Sequence, residues 1–373
     1  MTKKLKYHAI SLSERPKMAS IEAARAIAAL IVVLMHAANM MNVEHFSAHI
    51  GMGRVFDFGY VGVDFFFVLS GFIITYVHYA EIGRPYMIGR YIWRRFSRIF
   101  PIYWFILLLV ILITTAARLA TGKPPGFEIG VGDIAGTVFL LMGEGEPKYV
   151  GVAWSLQYEV MFYVAFCALL IHARLGAMLF LAWGVYVLLQ TAGLAIPKLP
   201  FNLSHPHCFQ FLAGVVVGAL ARRHPLKTQP AMLWLALLVI AAATLFEVYG
   251  PFERHSAAGR IALGLATAFV LATLVGLERQ QFCKTPNWLA RMGSVSYTIY
   301  LGHIVFISVT YAVLLKLGLY HSLPEAVVYF AAVVVALTGT MLLGAYVELP
   351  MVHALKDRFT KRHPAPHSTK VGA

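Results

Sequence analysis

Charge is scarce in this chain of 373 residues: Asp, Glu, Lys and Arg make up 13% of it, and only 17 residues are acidic. A soluble domain carries about a quarter of its residues as charges, so a water-facing fold is excluded. Cysteine is scarcer still. Cys167, Cys208 and Cys283 lie far apart, with no CxxC pair and no His or Cys at metal-ligand spacing, which removes both a disulfide framework and a zinc or other metal site from the expectations. The first 18 residues, MTKKLKYHAISLSERPKM, hold no apolar run and no small-residue cleavage site. No signal peptide is expected, and the N-terminus is expected to stay cytoplasmic. There is also no repeat of fixed period, no low-complexity stretch and no segment that reads as a soluble domain.

What the chain has instead is apolar length. Hydrophobic residues account for 59% of it and its mean hydropathy is +0.71, values that belong to a polytopic membrane protein. Stretches long enough to span run over 21–41, 59–80, 99–117, 153–172, 176–194, 206–221, 231–249, 259–277, 295–316 and 324–346. The expected fold is all-α, a transmembrane helix bundle of about ten spans. The piece IAGTVFLLM at 134–142 is too short to cross and is expected as a short non-spanning helix. The expected organisation is a cytoplasmic segment over 1–18, one integral domain over 19–350, and a basic cytoplasmic tail over 351–373 whose end is disordered.

The formal charge of +14 would point to nucleic acid in a soluble protein, but in a membrane protein basic residues also set topology. With the N-terminus inside, only Arg54, Arg118, Lys123, Lys148, Lys198, Arg254, Arg260 and Lys316 of the 31 Lys and Arg fall outside, and Arg25 lies within the first span. Both termini are therefore expected in the cytoplasm, and nucleic acid is not needed to explain the charge. The segment GRYIWRRFSRIF at 89–100 is denser in Arg than orientation requires. Arg95 and Arg98, at i and i+3, share a helix face and could grip a phosphorylated ligand in a bidentate manner.

Ionisable groups within the spans are the main functional signal. Arg25 and His36 are eleven residues apart, which returns a helix to within about 20° of its starting face while separating the two by about 16 Å. Glu22 stands one turn before Arg25 and can pair with it. Asp64, in GYVGVDFFFVLSGFIITY, and Glu159, in AWSLQYEVMFY, each lie about as far from the outer end of their spans as His36 does from its own. Charges inside a membrane are costly unless paired or wet, so the matched depths predict a His36, Asp64 and Glu159 cluster open to the outer face. Simpler readings stand beside this one: His36 as a solvated interfacial residue, Asp64 as a helix cap, Glu159 as half of an ion pair. Tyr149, Trp104 and Trp154 fit an aromatic belt. His303 and Tyr300, in SYTIYLGHIVF, point to a polar interior, and helix packing explains them equally well. Gly62, Gly71, Gly214 and Gly218 read as close-packing sites.

Five motifs occur in one order: RAIAALIVVLMH, GYVGVDFFFVLSGF, RRFSRIFPIYW, WSLQYEVMFY and SVSYTIYLGH. Together they resemble the membrane acyltransferase family 3 over roughly residues 18 to 350. The family's acidic residue before the first arginine is Asp, and here it is Glu22. No extracellular esterase-like domain is expected after the last span, and the chain is similar to the membrane-only members. The resemblance implies transfer of an acyl group, usually acetyl with succinyl as the alternative, from cytoplasmic acyl-CoA to a hydroxyl of a surface or exported carbohydrate that can be lipid-linked. Acyl-CoA is then a co-substrate and no cofactor is permanently bound. Carried over by motif, His36 matches the essential histidine, Arg25 its partner, Arg95 and Arg98 the donor-side RxxR pair, and Glu159 the acidic residue of the WSL-x-x-E motif. Asp64 falls in the GVDFFF motif.

On this reading His36 accepts the acceptor's hydroxyl proton, since imidazole titrates near working pH, and Asp64 or Glu159 orients it. A covalent relay on Ser70, Ser155 or Tyr163 stays open, as does an acceptor contact for His303. The expected location is the bacterial inner membrane. The rival reading is a proton-coupled transporter or polysaccharide export component, with the buried His, Asp and Glu as a proton relay.

Overall fold

Backbone polar groups cannot face lipid unpaired, so an apolar chain satisfies them within helices. The computed structural model describes residues 18–41, 55–122, 124, 131–141, 147–249 and 256–362, and every regular element among them is helical. In chain order these are α1 (Ala19–Met41), α2 (Val61–His78), α3 (Ile88–Ala120), α4 (Val131–Thr137), α5 (Trp154–Ile171), α6 (Ala173–Thr191), α7 (Pro206–Arg223), α8 (Pro230–Tyr249), α9 (Ala257–Arg279), α10 (Asn287–Ser294), α11 (Ser296–Lys316), α12 (Glu325–Leu343) and α13 (Leu349–Arg362). Among the described residues, 9 helical segments are long and apolar enough to cross a membrane. The tenth expected span, at 206–221, is helical as α7, and His207, Gln210, Arg222 and Arg223 dilute its hydropathy.

The expected short helix near 134–142 is displaced toward the N-terminus. Helix α4 ends at Thr137, and residues 138–141 leave the helical path, with Leu140 at φ 56°. The carbonyls set free at this helix end are captured by α3: Tyr103 donates its hydroxyl to the Thr137 carbonyl, and Trp104 Nε1 donates to Val138 at 2.8 Å. At the other end of the chain a π-helical turn, Gly344–Glu348, carries α12 into α13. The boundary expected at 350 thus lies inside a helical segment that runs to Arg362. The segments 1–17 and 363–373, on which the terminal expectations fall, lie outside the described residues.

Two devices fix the helices that matter for function. The first N–H groups of α1 have no partner within the helix, and Glu278, near the end of α9, accepts both Ala19 N–H and Ser20 N–H at 2.7 Å. A carboxylate at that end also complements the helix dipole. Helices α2 and α7 cross with backbones nearly touching: a Cβ on Gly71 would run into the Phe211 carbonyl, and one on Gly214 into that of Val68. Small residues at a membrane helix crossing permit this approach. A core of aromatic and aliphatic residues follows, in which Phe162 and Phe211 stack with centroids 4.0 Å apart.

Candidate active site

Helix α1 carries its two polar groups into two separate cavities. His36 lines one of about 500 Å³, together with Asp57, Tyr60, Trp154, Arg260 and Tyr300. Its Nδ1 lies 3.0 Å from the Val32 carbonyl one turn earlier. A carbonyl only accepts, so this bond places the ring proton on Nδ1 and leaves the Nε2 lone pair available as a base. His303 on α11 repeats the arrangement, with Nδ1 3.0 Å from the Ile299 carbonyl and its ring centroid 4.9 Å from that of His36. His303 is fully buried, and its Nε2 has no hydrogen-bond partner among the described residues.

Arg25 lines the other cavity, of about 80 Å³, with Arg95, Arg98, Ser70, Ser155, Glu159, Tyr163 and Tyr300. Each guanidinium is held differently. Arg25 pairs with Glu22 at 3.3 Å, as the i and i+3 spacing predicts. Arg95 donates to His78 Nε2 at 2.7 Å, and His78 Nδ1 in turn donates to Glu81 at 2.6 Å. The Arg95 guanidinium also lies 5.9 Å from the Tyr91 ring centroid and 5.6 Å from that of Tyr163. Arg98 faces the cavity one turn after Arg95. Glu159 is the acidic residue in the wall, accepting from Tyr163 at 2.6 Å and Ser70 at 3.5 Å. Three guanidiniums line the wall with Glu159, while Glu22 and Glu348 act on Arg25 and Arg98 from beside it, and forked guanidinium donors suit a phosphate-bearing ligand.

The expected cluster of His36, Asp64 and Glu159 does not form. Glu159 stands beside Ser70 among the arginines, and Ser70 is six residues, or about 9 Å, further along α2 than Asp64. Equal distance from a helix end gave equal depth only if the ends were level, and they are not. A 3-10 turn over Gly151–Ala153 precedes α5, and another over Asp57–Tyr60 precedes α2. Asp64 itself lines neither cavity. It is fully buried between α2, α7 and α9, accepting from Arg260 at 2.9 Å and Gln210 at 2.7 Å, with His207 Nδ1 at 3.7 Å. Neither acid orients the His36 ring; the Val32 carbonyl does.

Ser155 and Tyr300 stand where the cavities meet. Ser155 Oγ donates to the Val152 carbonyl at 3.0 Å and lies 2.8 Å from the Tyr300 hydroxyl, and Tyr300, like Val63, lines both cavities. A wall of arginines and an imidazole with a free lone pair thus lie along α1 in two cavities that share Val63 and Tyr300 in their linings.

A family model described as an acyltransferase domain matches residues 18–345, nearly the whole chain. The chain belongs to this acyltransferase family. It is 28% identical over 311 residues to the exopolysaccharide production protein ExoZ of Rhizobium meliloti (strain 1021), a match covering 80% of this chain and 90% of that protein. It is 25% identical over 319 residues to the acyltransferase MdmB of Streptomyces mycarofaciens, covering 78% and 79%. No solved structure matches it significantly. The protein is thus a multi-pass membrane acyltransferase.

Several polar residues of this membrane acyltransferase escaped sequence reasoning. His78 and Glu81 sit at i and i+3 beside the dense arginine segment, a spacing that signals the support they give Arg95. Arg260 was counted as a topological charge, yet Asp64, a charge inside a span, demanded a partner. Glu348, on the π turn, is buried and accepts from Thr298 at 2.5 Å; a π turn within a long helix is itself a functional marker, but nothing in the sequence pattern announces one. Among the described residues no group of three or more His, Cys, Asp or Glu is arranged to hold a metal ion.

Proposed function

We propose that the protein is an O-acyltransferase that moves an acyl group, acetyl in the first instance and succinyl as the alternative, from cytoplasmic acyl-CoA to a hydroxyl of a surface or exported carbohydrate. Support comes from two cavities of different chemistry on one face of α1. Arg25, Arg95 and Arg98 line one, and His36, with its Nε2 free, lines the other about 16 Å along the helix. Acyl-CoA has a matching layout, with a polyphosphate head, a thin pantetheine arm and a thioester at its far end. The positive-inside bias of the sequence supports an orientation with the arginines at the cytoplasmic face of an inner membrane. The carbohydrate is approached from the opposite face, lipid-linked or polymerised. The printed name of ExoZ, an exopolysaccharide production protein, supports that acceptor class.

In the reaction His36 Nε2 takes the acceptor's hydroxyl proton as the oxygen attacks the thioester carbon, and the Val32 carbonyl holds the ring in the tautomer this requires. Arg25, Arg95 and Arg98 hold the donor's phosphates. The rival reading as a proton-coupled transporter needs His36, Asp64 and Glu159 in one relay. Asp64 is tied to Arg260 and Gln210, behind the wall of the His36 cavity that Arg260 lines, and Glu159 is tied to Tyr163 in the other cavity, so the three do not form one relay. The test is to incubate membranes carrying the protein with labelled acyl-CoA and glycan acceptor. Label should pass to the glycan, and His36→Ala should abolish transfer while the protein remains inserted. Normal transfer by His36→Ala, or uptake of glycan without label, would sink the proposal.

A further inference from the structure

The two cavities share a wall at Val63 and Tyr300. Tyr300 is 7% exposed and lines both; its hydroxyl lies 2.8 Å from Ser155 Oγ and 3.3 Å from the Val152 carbonyl. Two hydroxyl protons and one backbone carbonyl are shared among these three groups. One proton bonds to the carbonyl and the other bridges the oxygens, so the trio is self-satisfied and sits idle. Phe66 packs edge-on to the ring, with centroids 5.8 Å apart, and His303 lies on the side of His36, 6.2 Å from the Tyr300 ring. A donor whose phosphates rest on the arginines and whose thioester reaches His36 must thread past this tyrosine. Its carbonyl group then arrives beside Tyr300, whose ring lines both cavities.

We infer that Tyr300 is a catalytic residue, the hydrogen-bond donor to the thioester oxygen, and that Ser155 parks its hydroxyl until the thioester displaces it. This rests on the acyl-CoA reading above and adds the group that meets the charge formed in the reaction. The acceptor oxygen forms a bond to the carbonyl carbon and its proton goes to His36 Nε2. The carbonyl π pair moves onto oxygen, where the Tyr300 hydroxyl donates to it. Collapse re-forms the carbonyl, the carbon–sulfur bond breaks, and the departing thiolate takes the proton back from His36. Atoms and electrons balance with no further reactant. The tyrosine bond strengthens as the oxygen becomes an anion, which is the condition for lowering a barrier rather than merely binding substrate. On this assignment Ser155 forms no covalent intermediate.

The test compares Tyr300→Phe and Ser155→Ala with the wild type in membranes, using acyl-CoA and glycan acceptor. Tyr300→Phe leaves Ser155 its bond to the Val152 carbonyl and should insert normally. Its kcat should fall about 10²–10³-fold, the usual loss for one oxyanion donor, with the KM for acyl-CoA changed less than about twofold. Ser155→Ala should stay within about tenfold of wild type, because the phenol it parks is still present. A ketone analogue of acyl-CoA labelled at the carbonyl gives a second readout. Its carbonyl stretch should shift to lower frequency in the wild type and in Ser155→Ala, and should not shift in Tyr300→Phe.

An undiminished kcat in Tyr300→Phe, or trapping of label on Ser155, overturns the inference. Should Tyr300→Phe fail to insert, 3,5-difluorotyrosine at 300 keeps the hydroxyl and makes it more acidic; kcat must then change, and an unchanged kcat overturns the inference equally. Failure of the wild type to transfer acyl groups at all would instead defeat the acyl-CoA reading on which this one rests.

Discussion

Asp64 gives the sharpest test of how a charge survives inside this bundle. Its carboxylate is fully buried, and the Arg260 side chain that pairs with it at 2.9 Å is 12% exposed. Removing one member of a buried ion pair strands the other and costs about 3–5 kcal/mol. Because Arg260 keeps some contact with water, the lower end applies, and Arg260→Met should destabilise the protein by about 3 kcal/mol. Adding Asp64→Asn removes the stranded charge while its amide oxygen still accepts from Gln210, which donates at 2.7 Å in the native protein. The double variant should therefore recover more than half of the loss. The assay is the unfolding free energy in micelles titrated with SDS, arranged as a double-mutant cycle. A double variant within about 0.5 kcal/mol of the sum of the two single losses would show that the residues act independently and refute the pairing argument. The single variant Asp64→Asn separates structure from chemistry, because it leaves Arg260 in the wall of the His36 cavity. It should transfer acyl groups at near the native rate, since Asp64 itself lines neither cavity; a folded but inactive Asp64→Asn would return Asp64 to the reaction.

Three further outcomes follow from single contacts. His78→Phe removes the acceptor that holds Arg95 at 2.7 Å; losing a hydrogen bond to a charged group is worth about 1.5–3 kcal/mol, so the KM for acyl-CoA should rise roughly 10- to 100-fold with kcat little changed in steady-state assays. Glu278→Ala frees the two N–H groups at the start of α1 and should lower the unfolding free energy by about 0.5–2 kcal/mol, the usual value of a lost helix cap. Gly214→Ala should destabilise the α2–α7 crossing by about 1–3 kcal/mol or more because its Cβ has no room, whereas Gly89→Ala, where a Cβ meets nothing within 4 Å, should leave the unfolding midpoint in place.

How far the site could be read from the sequence depended on whether one helix or several were involved. Arg25 and His36 belong to a single unbroken helix, where 3.6 residues per turn and 1.5 Å per residue fix both face and separation; their arrival in two cavities on one side of α1 was legible. The RxxR pair was legible for the same reason, and so was Glu22 beside Arg25. Asp64 and Glu159 were compared across helices by counting from apolar boundaries. The apolar boundaries at 59 and 153 fall within two residues of the helix starts at Val61 and Trp154, but those starts are not level, since Glu159 early in α5 meets Ser70 midway along α2, and rotation about each axis is decided by packing. Val63 faces the His36 cavity while the next residue, Asp64, about 100° around the helix, faces α7 and α9.

The same distinction explains why Tyr300 drew so little notice in the sequence. Tyrosine near the start of an apolar span is ordinary core material, and its burial here fits that reading. What sets it apart is position relative to two other helices: Ser155 on α5 meets its hydroxyl, and α1 brings Arg25 and His36 to opposite sides of its ring. If α1 acts as a ruler between donor and acceptor, the junction must fall between its marks, and a group there meets the thioester wherever the donor's head is held. A two-residue insertion in α1 between Arg25 and His36 should therefore be more damaging than its local strain implies. It turns His36 by about 200° away from the cavity and moves it about 3 Å along the axis. A four-residue insertion turns it by only about 40° and should keep the face while lengthening the reach by about 6 Å. If face governs activity, the longer insertion retains more acyl transfer than the shorter. If activity falls with inserted length regardless of face, the ruler argument fails.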